Sequence, residues 1–315
     1  MDTKNQSNGI DRRRFLQIGS AVAASAIYLP LSGKNVYNAF SSNKPINSIP
    51  TVRLNNGLIM PRLGFGTNTL TGEIGERSVY EAISVGYRLI DTAMVYQNEE
   101  AVGAGIKKSG IKREELFVTS KLWVDDSGYE KSKKAFQTSL DKLGMGYLDL
   151  YLYHRPRGDV KGSWKAMEEL YAAGKIKAIG VSNFSPDQLT ELLTYAKVKP
   201  VINQIETHVF FQENILYEDL KKRDIQMEAW SPFAAGRNGI FTNETLAAIG
   251  KKYNKSIAQV VLRWHFQRGL VAIPRSKQKA HMIENLNIFD FELLKSDMQV
   301  IAKLDLNITQ FPEWE

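Results

Sequence analysis

The 315-residue sequence contains no cysteine and only four histidines. The absence of cysteine excludes disulfide bonds, a thiol nucleophile, thiolate-bound metals and lipoprotein attachment. Because histidines are few and no H-E-x-x-H motif occurs, no metal site is expected. The sequence also lacks a G-x-G-x-x-G segment that opens a helix after the first β-like run, which argues against a doubly wound dinucleotide-binding sheet.

The net charge of +7 is concentrated at the N-terminus, where residues 1–44 carry six basic and two acidic side chains. The rest of the chain has no Lys/Arg stripe with interleaved aromatic residues, so no nucleic-acid partner is expected. Hydrophobic residues make up 43% and charged residues 24% of the sequence, which is typical of a soluble globular protein.

The N-terminal segment resembles a twin-arginine export signal. The sequence DRRRFLQ at Asp11–Gln17 is followed by a weakly apolar run, Ile18–Leu31, that is shorter than the ~20 residues of a membrane span. We therefore expect the twin-arginine export machinery as a partner and a periplasmic location, or a cytoplasmic one if the signal is vestigial. Cleavage after Ala26, cleavage near Ser41 and an uncleaved anchor all stay open, as does a basic tail without an export role.

A linker separates this signal from the body of the chain. Lys34–Ser48 is rich in Asn, Ser and Pro, as linkers often are. The sequence is therefore divided into a signal and linker at residues 1–44 and a single domain at residues 45–315.

The body of the chain begins with a predicted β-hairpin. Extended segments at Thr51–Leu54 and Leu58–Met60 flank the turn sequence Asn55-Asn56-Gly57.

Eight short β-like runs then alternate with segments of helical periodicity. Most are spaced by about 30 residues, as βαβ units require, and they lie at Arg62–Gly66, Arg88–Asp91, Leu116–Ser120, Leu148–Tyr153, Ala178–Val181, Val201–Asn203, Gln226–Ala229 and Val271–Ile273. Two helical patterns, Asn243–Asn254 and Ile257–Gln267, precede the last run and indicate an insertion there. The fold predicted is an α/β single (β/α)₈ TIM barrel with an N-terminal β-hairpin, with a doubly wound sheet as the alternative.

Polar residues follow these runs around the whole ring. In a (β/α)₈ barrel the chemistry lies at the carboxyl ends of the strands, and the side chains there would be Asp91, Tyr96, Ser120, Lys121, His154, Ser182, Asn183, Gln204, Trp230, Ser231, Arg275 and Ser276.

These same segments resemble the aldo-keto reductase family over about residues 50 to 312, with every motif in order. The family's motifs are matched by GYRLIDTAMVYQNEEAVG at Gly86–Gly103, SKLW at Ser120–Trp123, LYLYH at Leu150–His154, GVSNF at Gly180–Phe184, NQIE at Asn203–Glu206, WSP at Trp230–Pro232, IPRS at Ile273–Ser276 and ENLNIFDFEL at Glu284–Leu293. The short loops resemble most the compact bacterial reductases that act on glyoxals and diketo-gluconates. The resemblance implies NAD(P)H-dependent reduction of small aldehydes or ketones to alcohols by hydride transfer.

The resemblance also implies four catalytic residues. Hydride transfer to a carbonyl leaves charge on oxygen, so a proton donor must lie against that oxygen; Tyr96 would be this general acid. A phenol has a pKa of about 10, and a nearby ammonium, Lys121, is expected to lower it. Asp91 would hold Lys121 charged and in place, and His154 would donate a hydrogen bond to the carbonyl.

Cofactor-binding residues are implied in the same way. Ser182, Asn183 and Gln204 would hold the nicotinamide carboxamide, and Trp230, followed by Ser231, would stack on the ring. The adenosine end would bind through Arg275 and Ser276 at the 2′-phosphate, with Glu284 and Asn285 at the adenine.

The sequence departs from the family pattern in the cofactor site and in the substrate pocket. His281 stands where an Arg for the 2′-phosphate is common; Lys277 would compensate in part, so NADPH is expected while use of NADH stays open. Asn68 and Arg155 stand where relatives often carry aromatic residues, whereas Trp123 matches. This more polar pocket favours a substrate with an anionic or polyhydroxylated end, unless Arg155 faces solvent or pairs with Asp159.

Two other functions are weighed against a reductase. A non-catalytic nucleotide sensor or regulatory subunit would not need the complete set of Asp91, Tyr96, Lys121 and His154. A barrel hydrolase or aldolase would need paired carboxylates or a metal cluster at the strand ends, and the motifs place neither there. A monomer is expected.

Overall fold

The computed structural model describes residues 49–314, so the predicted export signal at residues 1–44 lies outside the described residues. The hairpin is formed by β1 (Thr51–Arg53) and β2 (Ile59–Pro61), which pair antiparallel. The expectation from the Asn-Gly turn is therefore confirmed. Within the described residues no helix is both long and apolar enough to cross a membrane.

Eight parallel strands follow in sequence order and form one sheet. They are β3 (Phe65–Gly66), β4 (Leu89–Asp91), β5 (Phe117–Leu122), β6 (Leu150–Tyr153), β7 (Ile179–Ser182), β8 (Ile202–Glu206), β9 (Gln226–Trp230) and β10 (Val271–Ala272). The sheet curls until a parallel bridge joins Leu63 to Ala272, where Gly64 N–H donates to the Ala272 carbonyl. The predicted (β/α)₈ barrel is confirmed.

Helices connect the strands and cover the outside of the barrel. They are α1 (Gly72–Val85), α2 (Glu99–Ser109), α3 (Tyr129–Leu143), α4 (Val160–Ala172), α5 (Pro186–Tyr195), α6 (Asn214–Lys222), α7 (Glu244–Tyr253), α8 (Ile257–Gln267), α9 (Lys279–Leu286) and α10 (Lys295–Ala302). Two of them begin with a capping box, Ser185 with Gln188 and Ser256 with Gln259, which satisfies N–H groups of the first turn. Helices α7 and α8 form the insertion expected before the last strand.

The hairpin closes one end of the barrel. Leu54 and Met60 are buried in an apolar cluster with side chains from the barrel interior, among them Leu89 and Leu150. The Asn55 side chain donates hydrogen bonds to the carbonyls of Pro200 and Asp224, which precede β8 and β9. Because this end is filled, polar chemistry is confined to the opposite end, where the strands terminate.

Candidate active site

A buried ion pair lies at the carboxyl ends of β4 and β5. Lys121 Nζ is 2.6 Å from Asp91 Oδ1, and both side chains are almost completely buried. The same ammonium donates to the carbonyl oxygen of Thr92 (2.9 Å) and to the hydroxyl oxygen of Tyr96 (3.3 Å). All three N–H groups of Lys121 are therefore used. Burial lowers the pKa of Lys121, but Asp91 and Tyr96 raise it by more, and the net direction is upward, so the ammonium stays charged.

Tyr96 reaches this pair from the short 3₁₀ turn Met94–Tyr96 that follows β4. Because Lys121 donates to the phenol oxygen, the hydrogen of the phenol is not used in that contact. The ring of His154 meets Tyr96 edge-on, with 5.9 Å between the ring centroids. The structure thus brings together all four residues that the sequence predicts to be catalytic.

The pKa of Tyr96 differs from the sequence expectation. Lys121 does lower it, as expected, but burial raises it by more, and Asp91 also raises it, so the net shift is upward from the ordinary value of 10. The expected effect of Lys121 is therefore present, but the sequence analysis left out the larger and opposite effect of burial. The physical reason is that the phenolate loses solvation inside the barrel, whereas the sequence shows only the nearby cation.

His154 is uncharged at neutral pH. Burial lowers its pKa well below the ordinary value, and the charges of Lys121 and Arg155 lower it further. A neutral imidazole can donate a hydrogen bond to a carbonyl oxygen but is a poor source of a proton. The geometry therefore leaves proton donation to Tyr96.

A second buried carboxyl, Glu228 on β9, lies beside this group and was missed by the sequence analysis. Gln204 Nε2 donates to Asp91 Oδ2 and to Glu228 Oε2, each at 2.9 Å. Burial, and then the charge of Asp91, raise the pKa of Glu228 to about 8. One signal was present in the sequence, because an acidic residue inside the apolar run Gln226–Ala229 needs a partner within the barrel.

Asn183 connects the ends of three strands. Its Nδ2 donates to the backbone carbonyl of His154 (3.1 Å) and to Ser182 Oγ (2.9 Å), and its Oδ1 accepts from Trp230 Nε1 (2.8 Å). Ser182 Oγ in turn donates to the backbone carbonyl of Gln204 (2.8 Å). Asn183 and Ser231 both have positive φ, 63° and 51°, so each turns the chain sharply where its strand ends.

These bonds decide what the predicted nicotinamide-side residues can offer. Both amide hydrogens of Asn183 and both of Gln204 are used within the protein, so each side chain can offer only its oxygen, and that of Asn183 already accepts from Trp230 Nε1. Gln204 Oε1 accepts no hydrogen bond from any described residue. An acceptor at this position matches the N–H₂ donor of a carboxamide, and Trp230 supplies a flat ring held by Asn183. The residues present therefore fit a nicotinamide.

The predicted adenosine end lies along the loop after β10 and helix α9. Arg275 donates to Thr69 Oγ1, and Ser276 Oγ bonds the backbone of Gln278 within the loop. His281 is exposed on α9 and Glu284 is half-buried. Asn285 is buried and bonds the Tyr87 hydroxyl, so part of its hydrogen-bonding capacity is used inside the fold.

The predicted pocket residues follow the ends of β3, β5 and β6. Trp123 is buried and meets the His154 ring edge-on at 5.1 Å. Arg155 is half-buried, and its charge lowers the pKa values of both His154 and Tyr96. Asn68 is half-buried in the loop after β3.

A C-terminal residue that the sequence analysis did not select also borders this pocket. Trp314 packs against the apolar cluster that contains Tyr96 and Trp123, and its ring centroid lies 5.3 Å from that of Trp230. Glu206 helps to hold the segment before it, since it accepts hydrogen bonds from Thr309 Oγ1 and the Gln310 N–H. No signal in the sequence placed this tryptophan, because it lies beyond the recognised motifs.

Comparison with known proteins matches this architecture. The model of the "Aldo/keto reductase family" matches residues 62–306. The chain is 49% identical over 263 residues to a glyoxal reductase of Bacillus subtilis (strain 168), covering 83% of this chain and 95% of the relative. It is 43% identical over 260 residues to the methylglyoxal reductase DkgA of Escherichia coli (strain K12), covering 81% and 94%.

Solved structures agree with these relatives. An aldo/keto reductase from Brucella melitensis superimposes with a TM-score of 0.79 at 45% identity, covering 82% of this chain and 100% of that one. An aldo-keto reductase from Bombyx mori in complex with NADP superimposes with a TM-score of 0.80 at 37% identity, covering 84% and 95%.

Proposed function

The chain belongs to the aldo/keto reductase family of NAD(P)H-dependent oxidoreductases, and from this premise we propose the roles of its residues, its substrates and its location. The activity is NADPH-dependent reduction of a carbonyl group to an alcohol. The observation that carries the proposal is the buried line of Asp91, Lys121 and Tyr96 beside a neutral His154.

NADPH would supply the hydride when bound, and the residues of the chain handle the proton and the charge. Tyr96 donates the proton to the carbonyl oxygen, and the phenolate left behind lies 3.3 Å from the Lys121 ammonium. At about 4 Å, opposite charges in a protein environment attract by about 4 kcal/mol. This attraction offsets part of the effect of burial, which raises the pKa of Tyr96. Asp91 keeps Lys121 charged, and the neutral His154 orients the carbonyl.

Small dicarbonyls and short-chain carbonyl compounds are the proposed substrates. Support comes from the names of two relatives, glyoxal reductase and methylglyoxal reductase, and from the compact loops of this chain. The half-buried Arg155 beside His154 extends the proposal to carbonyl compounds with an anionic or polyhydroxylated end. We further propose that the enzyme acts as a monomer.

The test is turnover by the purified full-length protein. We expect consumption of NADPH with methylglyoxal, a keto-acid and a sugar aldehyde, and less with NADH. Tyr96→Phe, which removes only the hydroxyl, should lose turnover by at least about 100-fold, since general acid catalysis typically contributes 10²–10⁴. Its NADPH affinity should not change. Tight NADPH binding without turnover of any carbonyl by the natural protein would contradict the proposal and favour a sensor.

Export through the twin-arginine route is proposed separately. It rests on the DRRRFLQ sequence at Asp11–Gln17 and the weakly apolar run after it. We expect the protein in the periplasmic fraction of cells that make it, and in the cytoplasm when Arg12 and Arg13 are both changed to Lys. The change keeps the charge, so an unaltered distribution would contradict a twin-arginine signal.

A further inference from the structure

Gln204 is held between two buried carboxyl groups. Its side-chain nitrogen donates one hydrogen to Asp91 Oδ2 and the other to Glu228 Oε2, both at 2.9 Å. The three side chains are at most 1% exposed and come from three strands, β4, β8 and β9. The Asp91 carboxylate can only accept, so it orients the amide nitrogen toward this side, because a turned amide would bring oxygen against oxygen.

The other end of the Gln204 amide is thereby fixed as well. Its oxygen accepts nothing from the described residues. The backbone carbonyl of Gln204 accepts a hydrogen bond from Ser182 Oγ, so the residue lies next to another one that is predicted to hold the nicotinamide. Asp91 alone would occupy only one of the two hydrogens. Without Glu228 the second hydrogen would have no acceptor inside the barrel, and the amide could rotate to seek one.

We propose that Glu228 is a positioning residue that acts through Gln204. By accepting a hydrogen bond from the second amide hydrogen, Glu228 keeps the Gln204 oxygen directed at the cofactor. The site then requires a hydrogen-bond donor on the substituent of the nicotinamide ring. This inference rests on the proposed use of NADPH.

The surroundings of Glu228 allow this role. Asp91 and Lys121 are the charged groups that act on it, and on the other side its strand neighbour is the apolar Val271. Glu228 Oε1 is buried and has no hydrogen-bond partner among the described residues. A carboxyl placed in an apolar strand, with one oxygen unsatisfied, is costly for folding alone, so its presence is better explained by its effect on Gln204.

The test compares cofactors that differ in their ability to donate. The reduced 3-acetylpyridine analogue of NADPH has a methyl group in place of the amide nitrogen, whereas the thionicotinamide analogue keeps the N–H₂ group. Kd for each is measured with the full-length protein by quenching of tryptophan fluorescence, which does not require turnover. We expect the natural protein to bind NADPH and the thio analogue about three- to tenfold more tightly than the acetyl analogue, as one hydrogen bond would give.

The variants Glu228→Leu and Glu228→Gln separate positioning from packing. The leucine side chain of Glu228→Leu has no acceptor for the Gln204 amide. The ratio of the Kd of the acetyl analogue to that of NADPH should therefore fall to near one, because NADPH binds more weakly while the acetyl analogue is little affected. In Glu228→Gln, whose side-chain oxygen can still accept from Gln204, the preference should be retained. A Glu228→Leu protein with the natural preference, or a natural protein with none, would overturn the inference.

A second measurement, on the natural protein, tests the inference even if the leucine variant does not fold. In the ¹⁵N-labelled natural protein both side-chain amide hydrogens of Gln204 should be protected from exchange with solvent, and an unprotected second hydrogen would overturn the inference. Neither readout depends on carbonyl reduction. Failure of the proposed activity would appear as absent turnover, whereas failure of this inference would appear in the Kd ratio or in exchange.

Discussion

Lys121 Nζ lies 2.6 Å from Asp91 Oδ1 inside the barrel, where neither charge has an appreciable contact with solvent. Such a pair gains its attraction only while both partners are present, because either charge alone would be left buried and uncompensated. The pair therefore contributes to the stability of the barrel and also keeps the charged Lys121 ammonium beside Tyr96.

Removing one partner of this pair should cost more stability than removing both. Lys121→Met leaves the Asp91 carboxylate buried without its cation, and we expect a loss of about 3–5 kcal/mol in the free energy of unfolding. Lys121→Met combined with Asp91→Asn should regain part of that loss, since no charge is then unpaired, yet both proteins should be inactive. Denaturant unfolding and initial rates check this, and a double variant no more stable than the single one would refute it.

Substrate charge should be sensed by Arg155. Its charge reaches His154 and Tyr96, so it is close enough to attract an anionic group of a bound substrate. For Arg155→Met we expect kcat/KM to fall about tenfold for a keto-acid and little for a neutral aldehyde, a difference of about 1.4 kcal/mol. Steady-state rates with matched substrates measure it. Equal losses for both substrates would mean that Arg155 does not select for charge.

Cofactor preference should depend on the residue at position 281. His281 is exposed on α9, where an Arg would offer a charged fork to a 2′-phosphate. In His281→Arg we expect the Kd of NADPH to fall about tenfold, as about 1.4 kcal/mol of added attraction gives, while the Kd of NADH stays the same. Arg275→Met should act in the opposite direction. If His281→Arg changed both affinities alike, this residue would not face the 2′-phosphate.

The stability of the barrel should depend on pH through Glu228. Burial and the charge of Asp91 raise the pKa of the Glu228 carboxyl to about 8, whereas a glutamate in the unfolded chain has a pKa of about 4.3. Between these values the folded chain holds a proton that the unfolded chain has released. Below the pKa of the unfolded glutamate, the folded state has the full stabilisation from this proton. The stabilisation decreases as the pH rises and is lost as the pH approaches 8.

Glu228→Gln should not lose stability in this way as the pH rises, because an amide does not titrate. Relative to the natural protein it should become more stable as the pH rises through that range, by at most about 1.4 kcal/mol for each pH unit. Unfolding in urea at both ends of the range measures the difference. A constant difference at all pH values would show that Glu228 does not take up a proton on folding.

The sequence by itself determined the barrel fold and the grouping of the four predicted catalytic residues, but it did not identify Glu228 or Trp314. Eight apolar runs with polar residues directly after them specify a barrel whose strand ends share one mouth, because parallel strands joined by helices all point the same way. Asp91, Tyr96, Lys121 and His154 could therefore be placed together from their positions in the chain.

Only the tertiary structure decided how these residues divide their hydrogen bonds and charges. The nitrogen of Gln204 is shared by Asp91 and Glu228, which are distant in sequence and are brought to it because the barrel gathers β4, β8 and β9 around one interior. The upward pKa of Tyr96 has the same origin, since burial is produced by all the strands together and no local motif encodes its extent. The sequence identifies the chemical groups of the site. Their protonation and orientation depend on the neighbouring residues in the folded structure.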